Sequence, residues 1–174
     1  MPQPETPALS IADVTIRILI VLNRLSGIAV FALLTATLVA EQWTFRALGI
    51  ATDSEIARLM WPLRAIAVLG ILAVPLYELI LRRLQAMVAT VRAGDPFILA
   101  NADRLRAIAW LLAGLQLISM GVAGIAKAIA TPEMPMHVNA GFSPTAWLTI
   151  LLIFVLAEVF ARGAAMRDDI EGTV

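Results

Sequence analysis

Long apolar runs alternate with short polar stretches along the chain. The runs cover about residues 18–40, 59–81, 107–126 and 145–160. Each approaches the ~20 mostly apolar residues that carry an α-helix across the hydrocarbon core of a bilayer. The last run, TAWLTILLIFVLAEVF, is the shortest and the most uniformly apolar. Past Leu81, residues Leu84, Met87, Val88 and Val91 recur at helical spacing. The second helix is therefore expected to continue beyond the membrane, its apolar side against the surface. Gly94 reads as the residue just after that helix ends. Asp95-Pro96 then breaks the chain, with Pro96 suited to open the next helix and Asp95 or Asn101 expected to cap it. Residues 41–58 are amphipathic enough for a short interfacial helix, and 131–144, TPEMPMHVNAGFSP, read as a Pro-broken loop. The expected fold is all-α: one integral membrane domain over 1–174 with four transmembrane helices, a loop at 82–106 and a tail at 162–174.

Composition supports this and narrows the function. Hydrophobic residues make up 60% of the 174, and the mean hydropathy is +0.88. A soluble domain is about 45–50% apolar, so this chain carries more apolar surface than one core could hide from water. The net charge is zero, which argues against direct nucleic-acid binding. There is no cysteine, which excludes disulfides and Cys-ligated metals. A single histidine, with no HExxH, GxSxG or phosphate-loop motif, leaves little for catalysis. Neither an enzyme nor a cofactor is expected. MPMH (134–137) is the one metal-like cluster. Met134, Met136 and His137 suit Cu(I) by ligand type, yet a lone histidine without cysteine is a poor metal site. The N-terminus lacks a basic region and a cleavage pattern, so the first helix is expected to stay as an anchor.

The basic residues set an orientation. With both termini and the 82–106 loop on one side, that side holds Arg17, Arg24, Arg82, Arg83, Arg92, Arg104, Arg106, Arg162 and Arg167. The other holds Arg46, Arg58, Arg64 and Lys127. Nine against four places both termini in the cytoplasm by the positive-inside rule. Trp43, Trp61 and Trp147 then fall near outer span ends and Trp110 near an inner one, as an aromatic belt requires.

An offset of 80 residues lays NRLSGIA (23–29) over DRLRAIA (103–109), Glu78 over Glu158 and Arg82 over Arg162. This suggests duplication of a two-helix hairpin, with both copies in the same orientation. Glu78 and Glu158 are the carboxylates within the spans. Each has Arg at i+4, the favourable order on a helix, so interfacial pairing is expected over a proton or cation site. Gln116, near the middle of the third span, is expected to hold helices together, with Thr35, Thr37, Ser119 or Thr149 as partners. Ala32, Ala36 and Ala40, and Gly114, Gly121 and Gly124, read as close-packing stripes. Pro75 is expected to kink the second span.

Two segments carry a resemblance. GDPFILANADRLRAIAW leads into the third span and LAEVFARGAAMRDDIEGTV closes the chain. Together they resemble the bacterial four-helix membrane family known as domain of unknown function 2975. Gly94, Phe97, Asn101, Arg104, Leu105 and Arg106 match its first pattern. Glu158, Val159, Phe160, Gly163, Arg167, Asp169, Glu171, Thr173 and Val174 match its second. Where relatives usually carry a hydroxyl cap and an acidic residue after the Phe, this chain has Ile98 and Ala100. The resemblance implies a bacterial inner-membrane protein without established activity, whose gene often neighbours a small helix-turn-helix regulator. The expected function is thus non-enzymatic: binding a cytoplasmic partner such as that regulator through the loop and tail. Gly94, Asp95, Pro96, Phe97, Asn101, Arg104, Arg106, Glu158, Arg162, Asp169 and Glu171 are the candidate residues. The alternative is a small oligomeric transporter or channel, with Gln116 and the Ser and Thr residues as its polar path.

Overall fold

The structure, a computed structural model, describes residues 7–49, 53–130 and 140–171, the last four by their backbone alone. Met134, Met136 and His137 lie outside the described residues. Among the described residues five helices follow one another: α1 (Pro7–Val39), α2 (Glu41–Ala47), α3 (Asp53–Arg92), α4 (Leu99–Ile129) and α5 (Pro144–Glu171). Four of them, α1, α3, α4 and α5, are long and apolar enough to cross a membrane. The chain is a four-span all-α membrane protein.

Each apolar run lies inside one of these helices, and the helices overrun the runs. With 40 residues, α3 is about 60 Å long, twice the ~30 Å hydrocarbon thickness. It continues to Arg92 as its apolar spacing requires, and passes through Pro62 and Pro75 without ending. The interfacial segment divides: α2 takes its first part, and α3 begins at Asp53.

Large apolar side chains face outward. Ile28, Phe31, Leu117 and Leu148 are all more than half exposed, whereas Ala102, Ala109, Ala126 and Ala157 are almost fully buried. Lipid tails are as apolar as leucine, so helices in a membrane gain little by hiding large side chains. They gain by close approach of small ones.

The chain forms two compact units. One comprises Met1–Leu22, Leu76–Gly114 and Ser143–Val174; the other comprises Asn23–Pro75 and Leu115–Phe142. In the second unit α1 packs on α3 at Gly27, where an added Cβ would stand 3.0 Å from Val74 Cγ1. Beside it, Asn23 Nδ2 donates to the Val74 carbonyl at 3.1 Å. Gly121 lies beside Leu69 more loosely, an added Cβ standing 3.4 Å from its Cδ1. The expected alanine stripe does not pack: Ala32 and Ala40 are exposed and Ala36 is half-buried. Residues 32 and 36 lie on one edge of α1 and Ala40 just past its end, while the buried Thr37 marks the edge that faces protein.

Gln116 is buried but does not bridge helices. Its Nε2 donates to the Gly141 carbonyl at 2.6 Å, and the Gly141 N–H donates to Ser119 Oγ at 3.1 Å. Gln116 and Ser119 thus both tie off a backbone segment that follows α4. Thr35, Thr37 and Thr149 donate to carbonyls of their own helices instead. Gly141 has φ +123°, and an added Cβ would stand 3.1 Å from Ala123 Cβ. Gly141→Ala should therefore cost about 1–3 kcal/mol, read as a lowered midpoint of thermal unfolding in detergent. An unchanged midpoint would contradict this packing.

Candidate functional site

The end of α3 shows how the 82–106 segment turns. Gly94 has φ +82°, a conformation that glycine adopts without a Cβ penalty. Its N–H donates to the Val91 carbonyl, and the Asp95 N–H to the Thr90 carbonyl, both at 3.0 Å. This pair of bonds is the Schellman closure that a glycine just past a helix end allows. After it, Asp95, Pro96, Phe97 and Ile98 belong to no helix or strand, and α4 starts at Leu99. Pro96 therefore does not open α4, and neither Asp95 nor Asn101 caps it. The position before the first helical residue belongs to Ile98, which has no side-chain acceptor to offer.

Asn101 has a different task. It is fully buried in the first turn of α4. Its Nδ2 donates to Thr90 Oγ1 at 2.7 Å and to the Pro96 carbonyl at 2.8 Å. Its Oδ1 accepts from Arg104 Nη1 at 2.7 Å. One amide thus joins the last turn of α3, the connection and the first turns of α4.

The far end of the chain comes to the same place. The Phe97 ring lies 5.2 Å from that of Phe160, tilted by 36°. An added Cβ at Gly163 would meet Phe97 Cδ1 at 3.0 Å, so the ring rests on the bare backbone of α5. One turn on, Arg167 Nη1 pairs with Asp95 Oδ1. Residues 160, 163 and 167 share one helical face, with the buried Ala164 between them. Deeper in the same unit, Trp110 meets Phe154 edge-on at 5.4 Å.

The remaining candidates are arranged otherwise. Arg106 pairs with Asp103 in its own helix at 3.0 Å and is exposed. Glu158 pairs with Arg162 at 3.0 Å, matching Glu78 with Arg82 at 2.9 Å. Asp169 and Glu171 lie on the backbone of α5, past its last described side chain. Four residues left off the candidate set belong in the cluster: Thr90, Phe160, Gly163 and Arg167. Three of them could have been found from their i, i+3, i+7 spacing, which puts them on one stripe of a helix. Thr90 gave no such signal.

α5 itself begins with a sequence-encoded start. Ser143 Oγ accepts the Ala146 N–H at 3.2 Å, and Pro144 occupies the first helical position. The described side chains of the cluster are a carboxylate, two guanidinium groups, one amide, a hydroxyl and aromatic rings. That is a set for holding a surface in shape and presenting it.

Two variants test the cluster. Gly163→Ala should destabilise by about 1–3 kcal/mol through overpacking, and Phe97→Leu in the same chain should recover part of the loss. Additive losses would mean that the ring and the glycine do not touch. Asn101→Leu leaves its partners unmatched and should cost about 1–3 kcal/mol, seen as a lower unfolding midpoint in detergent.

The family model described as "Protein of unknown function (DUF2975)" matches residues 47–174. Neither a curated protein nor a solved structure matches the chain. The matched region begins at the end of α2 and contains both segments that meet at Phe97 and Gly163. The chain belongs to the DUF2975 family.

Proposed function

We propose that the chain is a non-enzymatic protein of the bacterial inner membrane, with both termini in the cytoplasm, that binds a cytoplasmic protein. The binding face is the turn between α3 and α4 together with the last turns of α5. A small helix-turn-helix regulator is the partner that the family resemblance suggests. The supporting observation is the meeting of two segments in one patch, through Asp95 with Arg167, 72 residues apart, and Phe97 with Gly163. A turn that merely joined two helices would need no such contacts.

The surface of the patch has the character of a protein interface. Phe97, Leu99 and Met166 are 46%, 61% and 62% exposed. They lie outside the apolar runs and among charged groups. Exposed apolar anchors within a polar rim are what docking surfaces offer. The excess of Arg on this side supports the cytoplasmic orientation.

The test is a tagged pull-down from native membranes after mild crosslinking, read by mass spectrometry. A small soluble regulator should be enriched with the full chain. Truncation after Arg167, or Met166→Asp, should spare membrane insertion and reduce recovery at least tenfold. Equal recovery by the truncated chain would refute the proposed face. Recovery of this chain alone would refute the partner and point to a homo-oligomer.

A further inference from the structure

Four arginines flank the apolar runs on the side of the 82–106 loop. Arg17 precedes the first run, Arg82 follows the second, Arg106 precedes the third and Arg162 lies just past the fourth. Each pairs with a carboxylate about one turn away on its own helix: Asp13, Glu78, Asp103 and Glu158. A cation held in this way is largely balanced before any lipid arrives.

Arg83 and Arg104 break the pattern. Both are half-buried. Arg83 has no hydrogen-bond or ion-pair partner among the described residues. Its Nε is enclosed, whereas its two Nη atoms are open. Arg104 gives Nη1 to the neutral amide oxygen of Asn101 at 2.7 Å, and pairs with no carboxylate among the described residues. A charge taken partly out of water without a counter-ion is costly, so an anion is what this place in the fold lacks.

The two arginines share one seam. Thr90 meets Asn101 through a hydrogen bond, and Leu76 lies against Gly114. These contacts fix the face on which α3 and α4 run antiparallel. Arg83 is seven residues from Leu76 and seven from Thr90, on the same stripe of α3. Arg104 follows Asn101 by three residues, on the matching stripe of α4. From the level of Thr90 and Asn101, Arg83 lies about 10 Å along the helices and Arg104 about 5 Å. They therefore differ by about 5–6 Å in depth on helices about 8–10 Å apart, a gap that two arginine side chains can close around one phosphate.

Depth identifies the source of that phosphate. Arg83 stands two residues past the second run and Arg104 three before the third, the level at which lipid headgroups begin. Guanidinium forks match phosphate oxygens in shape as well as charge. A zwitterionic lipid brings its own cation to its phosphate. An anionic lipid leaves the charge for the protein to meet, as basic groups at a membrane boundary do.

We propose that Arg83 and Arg104 bind the phosphate of an anionic phospholipid on the seam between α3 and α4.

Native mass spectrometry of the delipidated full chain tests this, with phosphatidylglycerol in one arm and phosphatidylcholine of the same acyl chains in the other. The wild-type chain should retain a first phosphatidylglycerol at least fivefold more than a first phosphatidylcholine. Arg83→Gln should lower that occupancy at least threefold, and Arg83→Gln with Arg104→Gln should remove the preference. Arg83 has no partner in the fold to lose, so its variant decides the matter if the double variant does not fold. Arg46→Gln, which removes a charge paired with Asp53, should keep the preference. Inorganic phosphate at the lipid's concentration should not displace the lipid. Equal retention of both lipids by the wild-type chain, or equal phosphatidylglycerol occupancy in wild type and Arg83→Gln, would overturn the proposal. So would an equal loss in Arg46→Gln, or displacement by inorganic phosphate. The assay needs no cytoplasmic partner, so its failure leaves the protein-binding reading standing.

Discussion

A backbone crossing lipid must satisfy its own hydrogen bonds, because no water is there to do it. Long helices meet that requirement along their length and leave it unmet where they stop. The polar side chains of this protein are concentrated on that problem. Asn101 ties the Pro96 carbonyl into the turn after α3, and Gln116 and Ser119 hold both backbone groups of Gly141 ahead of α5. Thr44 reaches the Ala36 carbonyl, and Arg64 the Thr37 carbonyl, where α1 gives way to α2. Most of these residues are buried where a soluble protein would place leucine. Their cost is acceptable because the alternative is an unmatched peptide group in an apolar setting.

The same setting inverts the usual core. Alanines and glycines lie at many helix contacts, and most large apolar side chains face outward, although Ile80, Leu105, Ile108 and Ile150 are buried. Specificity between helices then rests on bare backbone meeting one side chain: Gly27 with Val74, Gly114 with Leu76, Gly121 with Leu69 and Gly163 with Phe97. At Gly27, Gly114 and Gly163 an added methyl group would press on its neighbour, whereas at Gly121 it would make ordinary contact.

Much of this was legible in the chain. Hydropathy marks the four spans because lipid imposes one rule over twenty residues at a time. Gly94 was legible too, since a left-handed residue after a helix leaves few choices. The capping of α4 was not. Asp95 and Asn101 have the right chemistry, but the helix begins at Leu99, and the side chains are drawn away to Arg167 and to Thr90. Those partners are distant in sequence or on another helix, so local pattern could not reveal them. The alanine stripe failed for a related reason. Spacing shows that residues share a face, and only packing shows which face meets protein.

The ring of Phe97 on Gly163 has a mechanical consequence. On either side of that glycine, Arg162 and Ala164 carry Cβ atoms, so the ring has one seat on α5. Rotation or axial sliding of α5 at this point must lift the ring out before it can proceed. The contact behaves as a detent: small forces leave the helix in register, and larger ones release it in a single step. Any signal that passes along α5 to its last turns would therefore arrive as a switch between discrete positions rather than as a graded tilt.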